Sequence, residues 1–556
     1  MIARTSFPLI VFCIVGTAIG CGTSTSPGLV AAGTAADGGT APDPNGGVLI
    51  EPDPSSDDAG TAGFGTDIST CAQAASAKAY VGCDFWPTPV ANAVWSIFDF
   101  AAVVANTSTS AVDVTVTGPN NFRQTISVGP KALGTVYLPW VASLKGGDAD
   151  ECGASQPMAG SVLARKGAYH LVTTKPVTVY QFNALEYKGA GGAPGKSWSS
   201  CPGNRVCASN FGAVGCFSFS NDASLLLPST AMTGNYRVIS TNSDSYSAGY
   251  VAITATADNT TVDVKLGTKA NIVAGSGIAG KAAGSTSSYT LNAGDVIELF
   301  TSVGVAADMS GSVITATAPV QVISGVPCIN VPDGTAACDH VEESVFPAET
   351  LGKDYVVTVP TGPYGTTVGH VVRLVGNVDG TTLTWSTNKP TGAPTTLNAG
   401  QVVSLGRVNK DFRVTGDKSF GVASLMLGAE IVDPNALDQA KGDPSMSFPT
   451  AVEQYRNSYI FLAPTDYDVN FIDVVFPPAS EASLRLDGQA VSGTAIDIPG
   501  SSFKIKRVRL ANTNGGAHEL SADAPVGVQV IGYGSYTSYQ YPGGLNLKLI
   551  APPPIR

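Results

Sequence analysis

The same short series of strand-like segments recurs four times along this chain of 556 residues, and that recurrence restricts the fold more than any other feature. One copy runs from Pro228 through Tyr236-Arg237-Val238 and Thr260-Thr261-Val262-Asp263-Val264 to Tyr289-Thr290-Leu291-Asn292-Ala293-Gly294-Asp295-Val296. It closes on Ala318-Pro319-Val320-Gln321-Val322. The next runs through Pro347, Tyr355-Val356-Val357, Thr381-Thr382-Leu383-Thr384-Trp385 and Thr396-Leu397-Asn398-Ala399-Gly400-Gln401-Val402, ending near Phe420-Gly421-Val422. An earlier copy starts at Pro87, passes Val112 to Thr117 and closes at Lys175-Pro176-Val177-Thr178-Val179. A later one starts at Pro449 and Tyr459, passes Leu484-Arg485-Leu486 and closes at Ala524-Pro525-Val526-Gly527-Val528. Leu-Asn-Ala-Gly occurs verbatim in two copies, which marks them as duplicates.

Within each copy apolar residues alternate with polar ones at a period of two, the signature of strands with one buried face. Charged residues make up only 13% of the chain, too few for the exposed faces of many helices. The expected fold is therefore all-β, built of four tandem β-rich repeats. Each repeat spans about 70 to 100 residues and holds about five or six strands, which suits Greek-key, sandwich-like modules. A propeller-like ring is the alternative, although propeller blades usually need only about four strands. The expected segments are 67–185, 186–327 (with a disulfide loop), 328–430 and 431–556. A Pro before the closing strand cannot donate to a ladder and marks a strand start or an edge. One helix is expected near the entry, over Cys71 to Tyr80.

Ahead of the repeats stands an export signal. Arg4 precedes an apolar run from Phe7 to Ile19, too short to span a bilayer but long enough for a signal-peptide core. Ala18-Ile19-Gly20-Cys21 resembles a lipobox, with Ala18 in place of the usual Leu. Residues 1–20 are thus expected to be a lipoprotein signal peptide and Cys21 the site of lipid attachment. Two or three acyl chains would hold the protein firmly, since each buried methylene adds about 0.8 kcal/mol. Gly22 favours outer-membrane sorting, and an exported, outer-membrane or cell-surface lipoprotein is the expected localisation. Residues 21–66 form a Gly/Ala/Pro/Asp tether with Asp37, Asp43, Glu51, Asp53, Asp57 and Asp58 and no Lys or Arg after Cys21. Such a segment buries too little apolar area to offset its backbone entropy, so disorder and reach are expected.

Net charge is −12, and becomes −13 when the signal takes Arg4 with it. No basic stripe offsets this acidity, so nucleic acid is not an expected partner.

Ten cysteines include Cys13 in the signal and Cys21 at the anchor. Eight remain, Cys71, Cys83, Cys152, Cys201, Cys207, Cys216, Cys328 and Cys338, and an even number in an exported chain implies disulfides. Short spacings favour Cys71–Cys83, Cys207–Cys216 and Cys328–Cys338, leaving Cys152–Cys201. Zinc is the competing reading, but Cys201, Cys207 and Cys216 lack paired C-x-x-C spacing.

Chemistry has few places to sit. Four His are present, and His340 lies in the densest polar cluster, Asp339, His340, Glu342 and Glu343. These residues could bind a cation or do acid–base work, or they organise a disulfide-closed loop at a repeat junction, which is the preferred reading. Neither Gly-x-Ser-x-Gly nor His-Glu-x-x-His occurs. No catalytic residue, metal ligand or cofactor is assigned. The turns Asp258-Asn259 and Asp379-Gly380 could hold calcium, although turn chemistry accounts for them. Tyr533, Tyr536, Tyr539 and Tyr541 form either an aromatic contact surface or, preferably, a half-buried strand.

Several segments resemble the IgGFc-binding protein N-terminal domain family, in its bacterial lipoprotein branch. They are Gly82-Cys83-Asp84-Phe85-Trp86, Pro176 to Asn183, Asn221-Asp222-Ala223-Ser224, Cys338 to Ser344, Gly369-His370-Val371-Val372-Arg373 and Tyr536 to Pro542, and together they cover most of residues 80–545. The resemblance implies a secreted binding domain. Immunoglobulin Fc is a partner by resemblance only, and a glycan, matrix or glycoprotein partner is the broader expectation. The self-cleaving Gly-Asp-Pro-His motif of associated modules is here Gly442-Asp443-Pro444-Ser445, so no autocleavage is expected. The expected function is non-enzymatic surface binding or adhesion. The alternatives are a carbohydrate-active enzyme using paired carboxylates near Glu342 and Glu343, and a structural envelope component.

Overall fold

The computed structural model describes residues 68–554, except 155–157, 159, 208–211, 336, 437–438 and 513–515. The expected signal, Cys21 and the tether up to residue 66 lie outside the described residues. Among the described residues, no helix is long and apolar enough to cross a membrane.

The chain enters on α1 (Cys71–Ala77), whose Thr70 and Gln73 form a reciprocal capping box. Lys78 ends it in the left-handed region, three residues short of the expected stop. The first repeat contains β1 (Gly82–Phe85), β2 (Phe100–Ala105), β3 (Val112–Gly118), β4 (Phe122–Val128) and β5 (Leu133–Leu138). After β6 (Val162–Ala164) it continues with the long β7 (His170–Asn183) and β8 (Asp222–Leu226). One sheet is ordered β4-β3-β7-β1 and the other β5-β2-β7-β8, because the two halves of β7 belong to different sheets. Pro176 sits where β7 passes between them, at a position that needs no donor.

The second repeat comprises β9 (Asn235–Arg237), β10 (Tyr250–Ala255), β11 (Thr260–Lys265) and β12 (Thr286–Leu291). It continues with β13 (Val296–Phe300), β14 (Val313–Ala316), β15 (Val320–Ile329) and β16 (Asp339–Ser344). Its sheets are β12-β11-β14-β9 and β16-β15-β10-β13, the latter extended by β6 from the first repeat. The third holds β17 (Asp354–Val357), β18 (His370–Gly376), β19 (Thr381–Trp385) and β20 (Thr396–Leu397), then β21 (Val402–Val408), β22 (Phe412–Gly416), β23 (Phe420–Leu425) and β24 (Met446–Ser447). Its sheets are β20-β19-β22-β17 and β24-β23-β18-β21. The fourth begins with β25 (Arg456–Leu462), β26 (Val469–Phe476), β27 (Arg485–Leu486) and β28 (Gln489–Ala490). It ends with β29 (Ile496–Asp497), β30 (Lys504–Arg509), β31 (Ala517–Gly534) and β32 (Thr537–Pro542). Here β28-β27-β31-β25 faces β32-β31-β26-β30-β29.

One topology is thus used four times, with eight strands per repeat rather than five or six. The strands that sequence periodicity missed include some too short to show a period, such as β24, β28 and β29. The first three hydrogen-bonded repeats also run one strand past their expected limits, since β8, β16 and β24 pair with β7, β15 and β23. The duplicated Leu-Asn-Ala-Gly makes the same turn twice. Asn292 Oδ1 accepts from Asn259 N and Asn398 Oδ1 from Gly380 N, both at 3.0 Å. Asp258 and Asp379 each accept from the turn's Ala N–H, at 3.0 and 2.9 Å, and Gly294 and Gly400 supply the positive φ that closes it. These aspartates therefore serve turn geometry.

The all-β fold is both a set of sandwiches and a ring. The last strands of the four repeats gather at one axis: β8 lies against β16 and β32, and β24 against the same two. Four sandwich blades thus close a propeller-like ring. Each seam has its own fastening. The β6–β13 pairing joins repeats one and two. Arg373 donates to Ser240 O at 2.7 Å between two and three. Tyr533 Oη donates to Thr361 O at 2.9 Å between three and four. Tyr180 Oη donates to Ile460 O at 2.7 Å and its ring meets Tyr541 at 4.9 Å, closing four onto one. Tyr533, Tyr539 and Tyr541 are buried, so the tyrosine run is core and not contact surface.

Candidate functional site

A strand surrounded by other strands on every side cannot expose its polar groups, so polar residues there must satisfy one another. The four axis strands carry many. Asp339, His340, Glu342 and Glu343, adjacent in sequence on β16, are all 0% exposed. Glu342 Oε1 accepts from Gln181 Nε2 at 2.7 Å and Ser224 Oγ at 2.9 Å, both of the first repeat. His340 Nε2 faces Asn183 Nδ2 at 2.9 Å, and since an amide N–H donates, the ring nitrogen accepts. Burial lowers the His340 pKa, which suits a neutral imidazole. Glu343 Oε2 accepts from Ser447 Oγ at 3.4 Å, reaching the third repeat, and Ser447 in turn accepts from Gln529 of the fourth at 2.7 Å.

Asp222 at the start of β8 is the most connected of these groups. Its Oδ2 accepts from Glu342 N at 3.1 Å and Met446 N at 3.0 Å, and its Oδ1 from Ser445 Oγ at 2.8 Å and Ala223 N at 2.9 Å. One carboxyl thus fastens three repeats. Thr537 Oγ1 of the fourth donates to Asn221 Oδ1 at 3.1 Å and Asp339 Oδ2 at 3.4 Å. Burial pushes Asp222, Asp339 and Glu343 well above the usual carboxylate range, with nearby carboxylates adding to the rise for Asp339 and Glu343. Asp443 of Gly442-Asp443-Pro444-Ser445 is raised by burial too, beside β24.

Sequence reading found the β16 members of this hub but not their partners Gln181, Asn183, Ser224, Ser445, Ser447 and Thr537, which arrive from other repeats. The available signal was polar residues on strands that otherwise read as buried. Glu342 and Glu343 are fully buried in the closed ring, where their oxygens accept from side chains of other repeats. Among the described residues, no three or more His, Cys, Asp and Glu side chains are arranged to hold a metal ion.

Above the hub, the loops joining the seventh and eighth strands (184–221, 330–338, 426–445 and 535–536) meet around the axis. Gly428 N donates to Val331 O at 2.8 Å, Gly442 N to Gly534 O at 3.0 Å and Tyr187 N to Asp466 Oδ2 at 2.9 Å. Asp468 of the fourth repeat takes Lys188 of the first at 2.6 Å and Lys441 of the third at 2.7 Å. The opposite end of each blade has tight turns such as Leu-Asn-Ala-Gly. The long-loop face is also where apolar side chains remain uncovered. Of seven large apolar side chains that are exposed among the described residues, Val206, Tyr246, Val303, Val305 and Tyr364 belong to these or adjoining loops.

Two disulfides brace this face, and a third ties α1 to β1. Cys71–Cys83 and Cys328–Cys338 form with Cα separations of 5.7 and 5.1 Å. Cys216 pairs with Cys201, at 5.8 Å, which corrects the expected Cys207–Cys216 and Cys152–Cys201 bonds. The turn at Pro202–Asn204 brings Gly215 N to Gly203 O at 2.8 Å, and that register sets Cys201 beside Cys216. Cys207 is also buried in the same loop.

The sequence profile of the family described as "IgGFc binding protein" matches residues 222–532, more than half of the chain. The chain belongs to that family. A human relative, "IgGFc-binding protein", is 26% identical over 272 residues, covering 49% of this chain and 5% of its own length. The chain thus spans a small part of that relative. No solved structure matches. The IgGFc-binding profile opens at Asp222, and three of the family-like segments, Asn221 to Ser224, Cys338 to Ser344 and Tyr536 to Pro542, build or adjoin β8, β16 and β32. These segments therefore lie on or beside strands that close the ring.

Proposed function

We propose that this chain is a non-enzymatic binding protein of the cell surface, held by lipid on Cys21, which recognises an extracellular glycoprotein or glycan through its long-loop face. The observation that carries the reading is the concentration of exposed Tyr246, Val303, Val305 and Tyr364 on one end of a ring whose carboxylates are sealed inside. Exposed aromatic and aliphatic side chains gathered on one face favour recognition. Immunoglobulin Fc is one candidate, supported by the family name and the human relative. Adhesion and outer-membrane display follow from the lipobox and the acidic tether.

The test is the full chain carrying Cys21→Ser, screened against glycans, mucin-type glycoproteins and immunoglobulin Fc. Tyr246→Ala, Val305→Asp and Tyr364→Ala together should weaken any ligand found by at least about tenfold, roughly 1.4 kcal/mol, with the melting point unchanged. Undiminished binding by the triple variant overturns the loop-face reading. Polysaccharide turnover that disappears in Glu343→Gln overturns the non-enzymatic one.

A further inference from the structure

Residues 186–198, in the loop after β7, fold over a charged cluster that the hub does not include. Asp99, just before β2, takes the Lys196 ammonium at 2.5 Å and accepts from Ala193 N at 3.3 Å. Glu186 Oε2 accepts from Asp99 N at 2.9 Å, while its Oε1 has no hydrogen-bond partner. Gly192 lies directly above, with φ +90°. A Cβ there would sit 3.0 Å from both Asp99 Oδ2 and Glu186 Oε1 and 2.5 Å from Lys196 Cδ, so the three groups converge under a residue that must be glycine. The Lys196 ammonium also lies 4.4 Å from the Trp198 ring centre. Further members of the surroundings are Tyr137 on β5 and Asp466 of the fourth repeat, both of which interact electrostatically with this region. Lys188 faces Asp468 instead.

We propose that the Asp99–Glu186–Lys196 cluster is a proton-operated latch that holds the described parts of the disulfide-closed loop, residues 188–207 and 212–217, against the first repeat. The charges decide the direction. With one proton on the carboxyl pair, the cluster holds one anion and one cation and is neutral. Without it, two anions share one cation in a buried place. Burial, and next the Asp99 carboxylate, push Glu186 up to about 8 from 4.5, against the pull of Lys196. Tyr137 is pushed up to about 12 and stays neutral, and Asp466, pushed up to about 6, has Lys188 and Asp468 as its charged neighbours. When the loop lifts, it takes Lys196, Gly192 and Ala193 away and exposes Glu186 to water. A carboxyl raised in the closed state favours closure fully below about 4.5 and loses that contribution as pH rises to about 8. The latch concerns loop order and stands whether or not the face binds a ligand.

Hydrogen exchange of the full chain, corrected for intrinsic rates, reads the latch directly. Linkage between pKa values of 4.5 and about 8 gives an opening constant about fiftyfold larger at pH 8 than at pH 6, levelling off above. Peptides within 188–207 and 212–217 should show that step while β2 and β7 do not. Glu186→Gln, which mimics the protonated carboxyl, should remove it. Equal protection of the loop at the two pH values overturns the proposal, as does a Glu186→Gln chain that keeps the step. If Glu186→Gln loses its global melting transition, Asp99→Asn decides, since one anion fewer must also flatten the step.

Discussion

Replacing Asp222 with alanine removes the acceptor that three repeats share. Two backbone donors from other repeats, Glu342 N and Met446 N, lose their partner inside a buried core, and the Ser445 hydroxyl can rotate away. Each orphaned buried donor costs about 1–3 kcal/mol, so the two together cost about 2–6. Part is returned, because the substitution also removes a carboxyl that burial disfavours. A net loss of about 2–4 kcal/mol is expected. Asparagine is the informative control. It keeps one oxygen for Glu342 N and Met446 N and turns its amide toward Ser445 Oγ, which can accept, so the loss falls to about 1 kcal/mol. The assay is urea denaturation of the Cys21→Ser chain at pH 6, followed by tyrosine and tryptophan fluorescence, comparing midpoints at constant slope. The expected order is parent, Asp222→Asn, Asp222→Ala. An alanine variant within about 0.5 kcal/mol of the parent refutes the view that this carboxyl fastens the ring, as does an asparagine variant weaker than alanine.

Other outcomes follow from the same geometry. Tyr180→Phe leaves Ile460 O without its donor at the seam that closes the ring, and thermal melting should show a loss of about 1–2 kcal/mol. Non-reducing peptide mapping should find Cys201 linked to Cys216, and Cys201→Ser should cost about 3 kcal/mol in denaturation, as expected for a loop of this size. Burial raises Asp473 to about 6 from 3.8, so it adds stability below about 3.8 that is lost as pH rises to about 6. Asp473→Asn should flatten the stability profile across that window. His370 is lowered to about 3 from 6.5, chiefly by burial, so its contribution is present above about 6.5 and is lost as pH falls toward about 3. His370→Gln should reduce acid sensitivity in that range, measured by melting point against pH.

What the sequence made legible was whatever is encoded locally. Leu-Asn-Ala-Gly and its Asp partner form one turn in two places because their hydrogen bonds lie within a few residues or across a single hairpin pair. Val112 to Thr117 reads as a strand because its faces alternate, and β3 buries Val112, Val114 and Val116. The hub was half legible. Asp339 to Glu343 stood out as a polar run, but Gln181, Ser224 and Ser447 lie on other repeats, and one sequence does not say which strands will become neighbours. The cysteines failed for a related reason. Spacing treats Cys201 and Cys207 as near equals, whereas the register of a small loop selects between them. Whether the repeats would stand apart or close into a circle depended on Tyr180 meeting Tyr541, residues at opposite ends of the folded region.

An open stack of repeats can gain or lose a member at either end and remain a stack. A circle of four cannot, because an extra or missing blade would leave two axis strands without neighbours and change the angle at which every other pair meets. Inherited variation is thereby channelled into loop length and loop sequence. A lineage carrying this architecture can change what the molecule touches while leaving untouched the way it shuts.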